Sequence, residues 1–430
     1  MTEESLQDRL ARLTSDMIKI DTRNPPGTTR QFADFLIDYL QSRGFSADSI
    51  EYEKDKPNVI AKVGSGSPVL ILNGHMDVVP PGEPEMWKEA RPFSGEIKDG
   101  KVYGRGATDM KGGLATIVVL FTDVAELVEK SGSGTLILAA TADEEVGGAN
   151  GMGSLVANGV LKGDAAIIAE PSGVNTISVG EKGLCQIELK IKGKSAHGSM
   201  PVLGSNAILK AVDALDIVSQ AIDYFNSRLE TPKELESAIE GSIEVVMEEA
   251  SRSQVKLSRK EVEYVLQKIT FNPGVMACGS KINMVPDLCR IEIDTRLPLG
   301  IRGNGHKSAC EMLVDEMRAV LADTFSLDTF DVSIINQSEP NFTDPNSRIA
   351  SILASSVERN LGVRPRFRIE TGATDGRYLR RAGVPAVIYG PGEPFLAHSY
   401  DEYVKVEDLE KAYRVLRTAV LEFLGVNPAQ

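Results

Sequence analysis

The sequence predicts an α/β protein in two parts: a discontinuous α/β domain with a mostly parallel sheet, and an α+β domain with an antiparallel sheet inserted into it. Three observations carry this expectation. Residues 1–180 alternate helical patterns with short, wholly apolar runs such as Val69-Leu70-Ile71-Leu72, Leu136-Ile137-Leu138-Ala139-Ala140 and Ala165-Ala166-Ile167-Ile168. Such runs suit βαβ units around a parallel sheet buried on both faces. Near residue 184 the texture changes, with Cys185, Ile187, Leu189 and Ile191 alternating with Gln186, Glu188, Lys190 and Lys192. A period of two marks a strand with one wet face, as in an antiparallel sheet. The α/β texture then resumes after residue 297. The expected division is 1–183, 184–297 and 298–430, the middle stretch being the insertion.

The elements follow in chain order. An acidic start, Met1-Thr2-Glu3-Glu4-Ser5, leads into an amphipathic pattern of Leu6, Leu10, Leu13 and Met17, with no signal-peptide pattern. A helix is expected from Leu114 to Val128, opened by Met110-Lys111-Gly112-Gly113. Inside the insertion, Ile208, Ala211, Leu215, Val218 and Ile222 form one helical stripe. A second alternating strand sets Cys289, Ile291, Ile293 and Thr295 against Arg290, Glu292, Asp294 and Arg296. Residues 225–268 are charged and helix-favouring, with Gly241 their single glycine; they elaborate the insertion without offering recognisable chemistry.

Composition narrows the function. A formal charge of −14 opposes nucleic-acid binding, which needs a basic stripe to neutralise phosphates. The densest apolar segment, Ile117-Val118-Val119-Leu120-Phe121, falls far short of the ~18 residues of a membrane span. Cys185, Cys278, Cys289 and Cys310 form no CxxC and no zinc-type spacing. Sporadic cysteines of this kind read as unpaired and reduced, hence cytoplasmic, with a Cys278–Cys289 disulfide as the alternative. No Gly-Lys-Ser/Thr phosphate loop or Gly-x-Ser-x-Gly elbow occurs.

The candidate chemistry sits where apolar runs end. His75 and Asp77 follow one run, Asp143-Glu144-Glu145 another, Glu170 a third, and the run Ala386-Val387-Ile388-Tyr389-Gly390 leads towards His398. Asp109 lies in the glycine-rich Gly104-Arg105-Gly106-Ala107-Thr108-Asp109-Met110-Lys111-Gly112-Gly113. Ligands of open α/β sheets bind outside the carboxyl ends of the strands, so these side chains share one structural address. Singly, each has a plainer reading: His75-Met76-Asp77 as a solvated turn, Asp109 as a helix N-cap, the acid run as a wet face, Glu170 as a surface acid. His197, in Ser195-Ala196-His197-Gly198-Ser199, and His398 lie in small-residue turns; His306 reads as surface loop.

Gly74-His75-Met76-Asp77-Val78-Val79-Pro80, Gly104 to Gly113 and Asp143-Glu144-Glu145-Val146-Gly147 resemble the co-catalytic zinc amidohydrolases. That family includes acetylornithine deacetylase, succinyl-diaminopimelate desuccinylase, aminoacylase and glutamate carboxypeptidase. The motifs keep family order over about residues 5–425, and the wording of Gly104 to Gly113 is similar to the deacetylase and desuccinylase branch of amino-acid biosynthesis. The resemblance implies a catalytic α/β domain, a dimerisation or lid domain in the insertion, and two Zn²⁺ per subunit, with Co²⁺ able to substitute. It implies His75 and Glu170 on one ion, Glu145 and His398 on the other, and Asp109 between them. Asp77 is implied to orient His75, and Glu144 to be the general base. His197 is implied to reach the site of a partner subunit, making a homodimer. Asn283, Arg296, Gly372 and Thr374 match positions that hold the substrate carboxylate. The activity implied is hydrolysis of the amide of an N-acyl amino acid, with a dipeptidase or carboxypeptidase-like enzyme as the alternative.

Overall fold

In the computed structural model, residues 4–252 and 255–427 are described; Met1 to Glu3 of the acidic start and residues 253–254 of the charged stretch lie outside them. The chain divides into two units, one comprising 1–179, 342–368 and 374–430, the other 180–341 and 369–373.

The first unit is built on a sheet whose centre runs Thr135–Thr141, Val69–His75, Ala165–Ile168, Ala386–Ile388, all mutually parallel. Pro57–Gly64 and then Ala47–Glu51 add antiparallel strands at one side. The central strands are apolar throughout because both faces are covered, and every residue of Thr135–Thr141 is buried. Helix Gly112–Ser131 is likewise buried along most of its length. It can lie this close because Gly113 has no side chain: a Cβ there would stand 1.9 Å from the carbonyl oxygen of Ala169. The parallel order sends the carboxyl ends at His75, Thr141, Ile168 and Ile388 to one edge.

The second unit holds a four-stranded antiparallel sheet in the order Thr270–Cys278, Leu288–Leu297, Gly183–Lys192, Phe330–Ser338. Cys185, Ile187, Leu189, Ile191, Cys289, Ile291 and Ile293 form its inner face, packed with helices Ala207–Asn226 and Ala309–Ala322. The period of two seen in the sequence is therefore the period of burial.

Two expectations need correction. The insertion does not end at 297: helix Ala309–Ala322 caps the antiparallel sheet and Phe330–Ser338 completes it. A helix followed by a strand carries the same local pattern in either domain, so the pattern alone misplaced the boundary. Nor are the cysteines unpaired. Cys185 is bonded to Cys310, 125 residues away, and Cys278 to Cys289 across adjacent strands. Cysteine usage thus no longer argues for a reducing, cytoplasmic setting. Among the described residues, no helix is long and apolar enough to cross a membrane.

Candidate metal centre

Two overlapping groups of donors gather at the carboxyl edge of the larger sheet. His75 Nε2 stands 3.1 Å from Asp109 Oδ1 and 3.3 Å from Glu170 Oε1. His398 Nε2 stands 3.2 Å from Asp109 Oδ2 and 3.3 Å from Glu145 Oε2. Asp109 gives one oxygen to each group. Within each group the donor atoms all lie within 4.8 Å of one another. Ligands held ~2.0–2.1 Å from a tetrahedral cation stand roughly 3.3 Å apart, so this spacing fits Zn²⁺ and ions of similar size. The donors are imidazole and carboxylate without thiolate, a set that suits such ions.

The electrostatics agree. Burial, and then Asp109, push Glu170 up to about 8 and hold Glu145 above the ordinary range. Burial opposes a charge on His75, but Glu170 and Asp109 outweigh it and raise its pKa well above the usual value. Asp109 and Glu145 carry His398 up to about 10. Donors this crowded retain protons that a cation would displace.

The surrounding groups fix these side chains. His75 Nδ1 donates to the backbone carbonyl of Asp77 at 2.9 Å, while the Asp77 carboxylate is 3.7 Å away. Asp77 therefore holds the ring through its main chain. Its carboxylate instead accepts the backbone N–H groups of Glu144 and Glu145, at 3.1 and 3.2 Å, and the amide of Asn24 at 2.9 Å. This caps the short turn Glu144–Val146. Asp143, the first of the acid run, turns away: it is buried and paired with Lys56 at 2.8 Å. Glu144 belongs to neither donor group. Burial, with Glu170 and Asp375 nearby, pushes it well above its ordinary pKa against the pull of His75.

Glu402 and Arg105 were not singled out from the sequence. The strand Tyr403–Lys405 pairs with Lys101–Tyr103, which brings Glu402 beside the glycine-rich turn. Its carboxylate accepts from Arg105 Nη1 at 2.6 Å and from the backbone N–H groups of Gly106, Thr108 and Asp109 at 3.0, 2.8 and 3.0 Å. Arg105 also donates to the carbonyls of His398 and Ser399, at 3.3 and 3.1 Å. One buried ion pair thus holds both the Asp109 turn and the His398 loop. The signal available in sequence was slight: Arg105 lies inside the quoted motif and Glu402 follows His398 by four residues.

His197, Asn283, Arg296 and Gly372 belong to the second unit and Thr374 to the first. Within the second unit, His197 bridges to Met284 and Gly198 N–H donates to the Asn283 carbonyl at 2.7 Å, so these two loops are pinned to each other. Arg296 is paired with Asp294 at 2.9 Å.

A parallel sheet whose carboxyl edge gathers two histidine and carboxylate groups around a shared aspartate defines a metal-dependent amidohydrolase. The chain belongs to peptidase family M20/M25/M40, whose model matches residues 71–422. It is 29% identical over 433 residues to a probable succinyl-diaminopimelate desuccinylase of Staphylococcus aureus, covering 99% of both chains. Among solved structures it resembles an M20 family metallo-carboxypeptidase of Sulfolobus solfataricus, with a TM-score of 0.77, 22% identity, and 98% and 100% of the two chains covered. It also resembles the dipeptidase Dug1p of Saccharomyces cerevisiae, with a TM-score of 0.71, 17% identity, and 98% and 97% covered.

Proposed function

We propose that this enzyme hydrolyses the amide bond of an N-acyl amino acid, releasing a carboxylate and a free amine. The observation that carries the reading is Asp109, with one oxygen turned to each donor group. Two Zn²⁺ would be held by His75 and Glu170 on one side and Glu145 and His398 on the other, with Asp109 shared and Co²⁺ able to substitute. When bound, such ions polarise a scissile carbonyl and lower the pKa of water to about 7.

The remaining work falls to the protein. Glu144 takes a proton from the attacking water and delivers it to the leaving amine. His197 donates to the developing oxyanion. Its Nδ1 accepts the backbone N–H of Ser199 at 3.2 Å, which leaves Nε2 to donate. Asn283, Arg296, Gly372 and Thr374 hold the substrate carboxylate. The desuccinylase relatives favour a succinyl group on the acyl side, and the wording of Gly104 to Gly113 an acetyl group besides. The likeness to a carboxypeptidase and a dipeptidase supports a second reading, a peptide substrate at the same centre.

Stripping the enzyme with a chelator is expected to abolish turnover, and Zn²⁺ or Co²⁺ to restore it. A panel of N-succinyl amino acids, N-acetyl amino acids and dipeptides then separates the two readings. Turnover confined to dipeptides would overturn the N-acyl assignment, and turnover insensitive to chelation would overturn the metal assignment.

The partner is a second copy of the chain, joined through the second unit. Its strand Thr270–Cys278 lies at the end of the sheet order and exposes Val275 and Met276, and helix Ala207–Asn226 exposes Leu209 and Val212. An unpaired strand edge with apolar side chains favours pairing with another chain. If His197 serves the partner's site, mixing inactive His197→Ala and Glu144→Ala subunits restores part of the activity. Verified heterodimers with no recovery would count against a shared site.

A further inference from the structure

The charged stretch 225–268 forms helices Glu236–Arg252 and Arg259–Gln267 in the second unit. One of its contacts reaches a segment far along the chain directly, and a second reaches it by way of Lys182. Ser242 is 2% exposed; its hydroxyl donates to the Ala238 carbonyl at 2.7 Å and accepts the backbone N–H of Ile369 at 2.8 Å. Lys182, 1% exposed, donates its ammonium to the carbonyls of Val265 and Lys268, the latter at 2.8 Å, at the carboxyl end of the second helix. The backbone N–H of Lys182 donates in turn to the Glu370 carbonyl at 3.0 Å. Arg296 Nη1 lies 3.5 Å from the Thr371 carbonyl.

Residues 369–373 are a second, short visit of the chain to this unit, after the long stretch 180–341. Three successive residues of that visit, Ile369, Glu370 and Thr371, are each tied to a side chain or backbone group of the surrounding frame. One of the three ties runs directly to the helical stretch, by the Ser242 hydroxyl; the tie to Glu370 is made by the main chain of Lys182, whose side chain that stretch holds. The helices supply partners to two buried groups: the Lys182 ammonium at a helix carboxyl end, and the Ile369 amide on a helix-borne hydroxyl.

We propose that helices Glu236–Arg252 and Arg259–Gln267 clamp segment 369–373, with Ser242 and Lys182 as positioning residues, and so set how tightly the enzyme holds its substrate's carboxylate. This rests on the reading that Gly372 belongs to the carboxylate site. A loop fixed before binding spares the ligand the cost of ordering it, so loosening the clamp weakens binding rather than chemistry.

The test uses the metal-loaded, full-length enzyme. Its probes are the N-acyl amino acid turned over fastest in the panel above and the same compound as its carboxamide. Ser242→Ala and Lys182→Met are each expected to raise KM for the carboxylate about tenfold, with kcat and the carboxamide KM within about twofold. Ser242→Thr, which keeps the hydroxyl, is expected to restore KM. Hydrogen exchange of the peptide spanning 369–373 is expected to quicken in Ser242→Ala. Gly372→Asp tests the underlying reading directly, because a Cβ there meets nothing within 4 Å and the added charge opposes a carboxylate. If Gly372→Asp raises the carboxylate KM while Ser242→Ala changes neither KM nor exchange, the clamp is overturned and the carboxylate site stands. If Gly372→Asp leaves the carboxylate preference intact, the carboxylate site is overturned. Equal losses on both substrates in Ser242→Ala would reduce the clamp to a folding role and overturn it. Should Lys182→Met fail to fold, Ser242→Ala alone decides.

Discussion

Glu144→Ala is expected to lower turnover by about 10²–10⁴-fold, the range associated with a positioned general base, while metal content stays at the wild-type level. The two effects separate because of where Glu144 sits. It is in neither donor group, and the turn that carries it is held by the Asp77 carboxylate through backbone N–H groups. Removing the side chain leaves that turn and both groups in place. Burial raises the Glu144 pKa above the ordinary carboxylate value, and a protonated carboxyl cannot accept a proton from water. Activity of the parent enzyme should therefore fall as pH drops through the pKa of Glu144, and the residual activity of Glu144→Ala should lack that limb. Elemental analysis and pH–rate profiles of both proteins check this. Unchanged turnover, or loss of metal alongside activity, would sink the assignment.

The second large effect concerns Glu402. Glu402→Ala is expected to destabilise the fold by about 3–5 kcal/mol, the cost of leaving one member of a buried ion pair without its partner. Arg105 and Glu402 side chains are 3% and 0% exposed, so water cannot replace the missing carboxylate. The backbone N–H groups of Gly106, Thr108 and Asp109 lose their acceptor in the same stroke. Because Arg105 also holds the carbonyls of His398 and Ser399, the variant should bind metal more weakly as well. Glu402→Gln, which keeps one acceptor oxygen, should fall between the two. Urea unfolding of the metal-free protein and titration with Zn²⁺ measure the terms separately. Wild-type stability together with wild-type affinity would remove Glu402 from any role in shaping the centre.

How much of this was legible in the sequence depends on how local each signal is. His75, Asp109, Glu145, Glu170 and His398 could be picked out because they follow apolar runs or sit in a glycine-rich turn, and parallel strands share one carboxyl edge. The alternation from Cys185 to Ile191 gave the second sheet for the same reason: burial has the period of the pleat. Glu402 was hidden because an acid reads as exposed until its donors are known, and they lie 293 to 297 residues away. The bond between Cys185 and Cys310 was hidden by their 125-residue separation. Asp77 was expected to orient His75, and the two meet through the Asp77 carbonyl, a contact that side-chain chemistry says nothing about. Ser242 and Lys182 lay unnoticed because their contacts fall on a segment from the far end of the chain.

The sharing of Asp109 between two groups also has a meaning in time. The ribosome delivers His75, Asp109 and Glu170 within the first part of the chain, and with them one full set of three donors. The other set waits for His398, made long after Glu170, and the tie between Arg105 and Glu402 waits with it. A chain stopped short of residue 398 therefore carries one complete triad and an unfinished second one. Until His398 is made, that second group has two of its three members, Asp109 and Glu145.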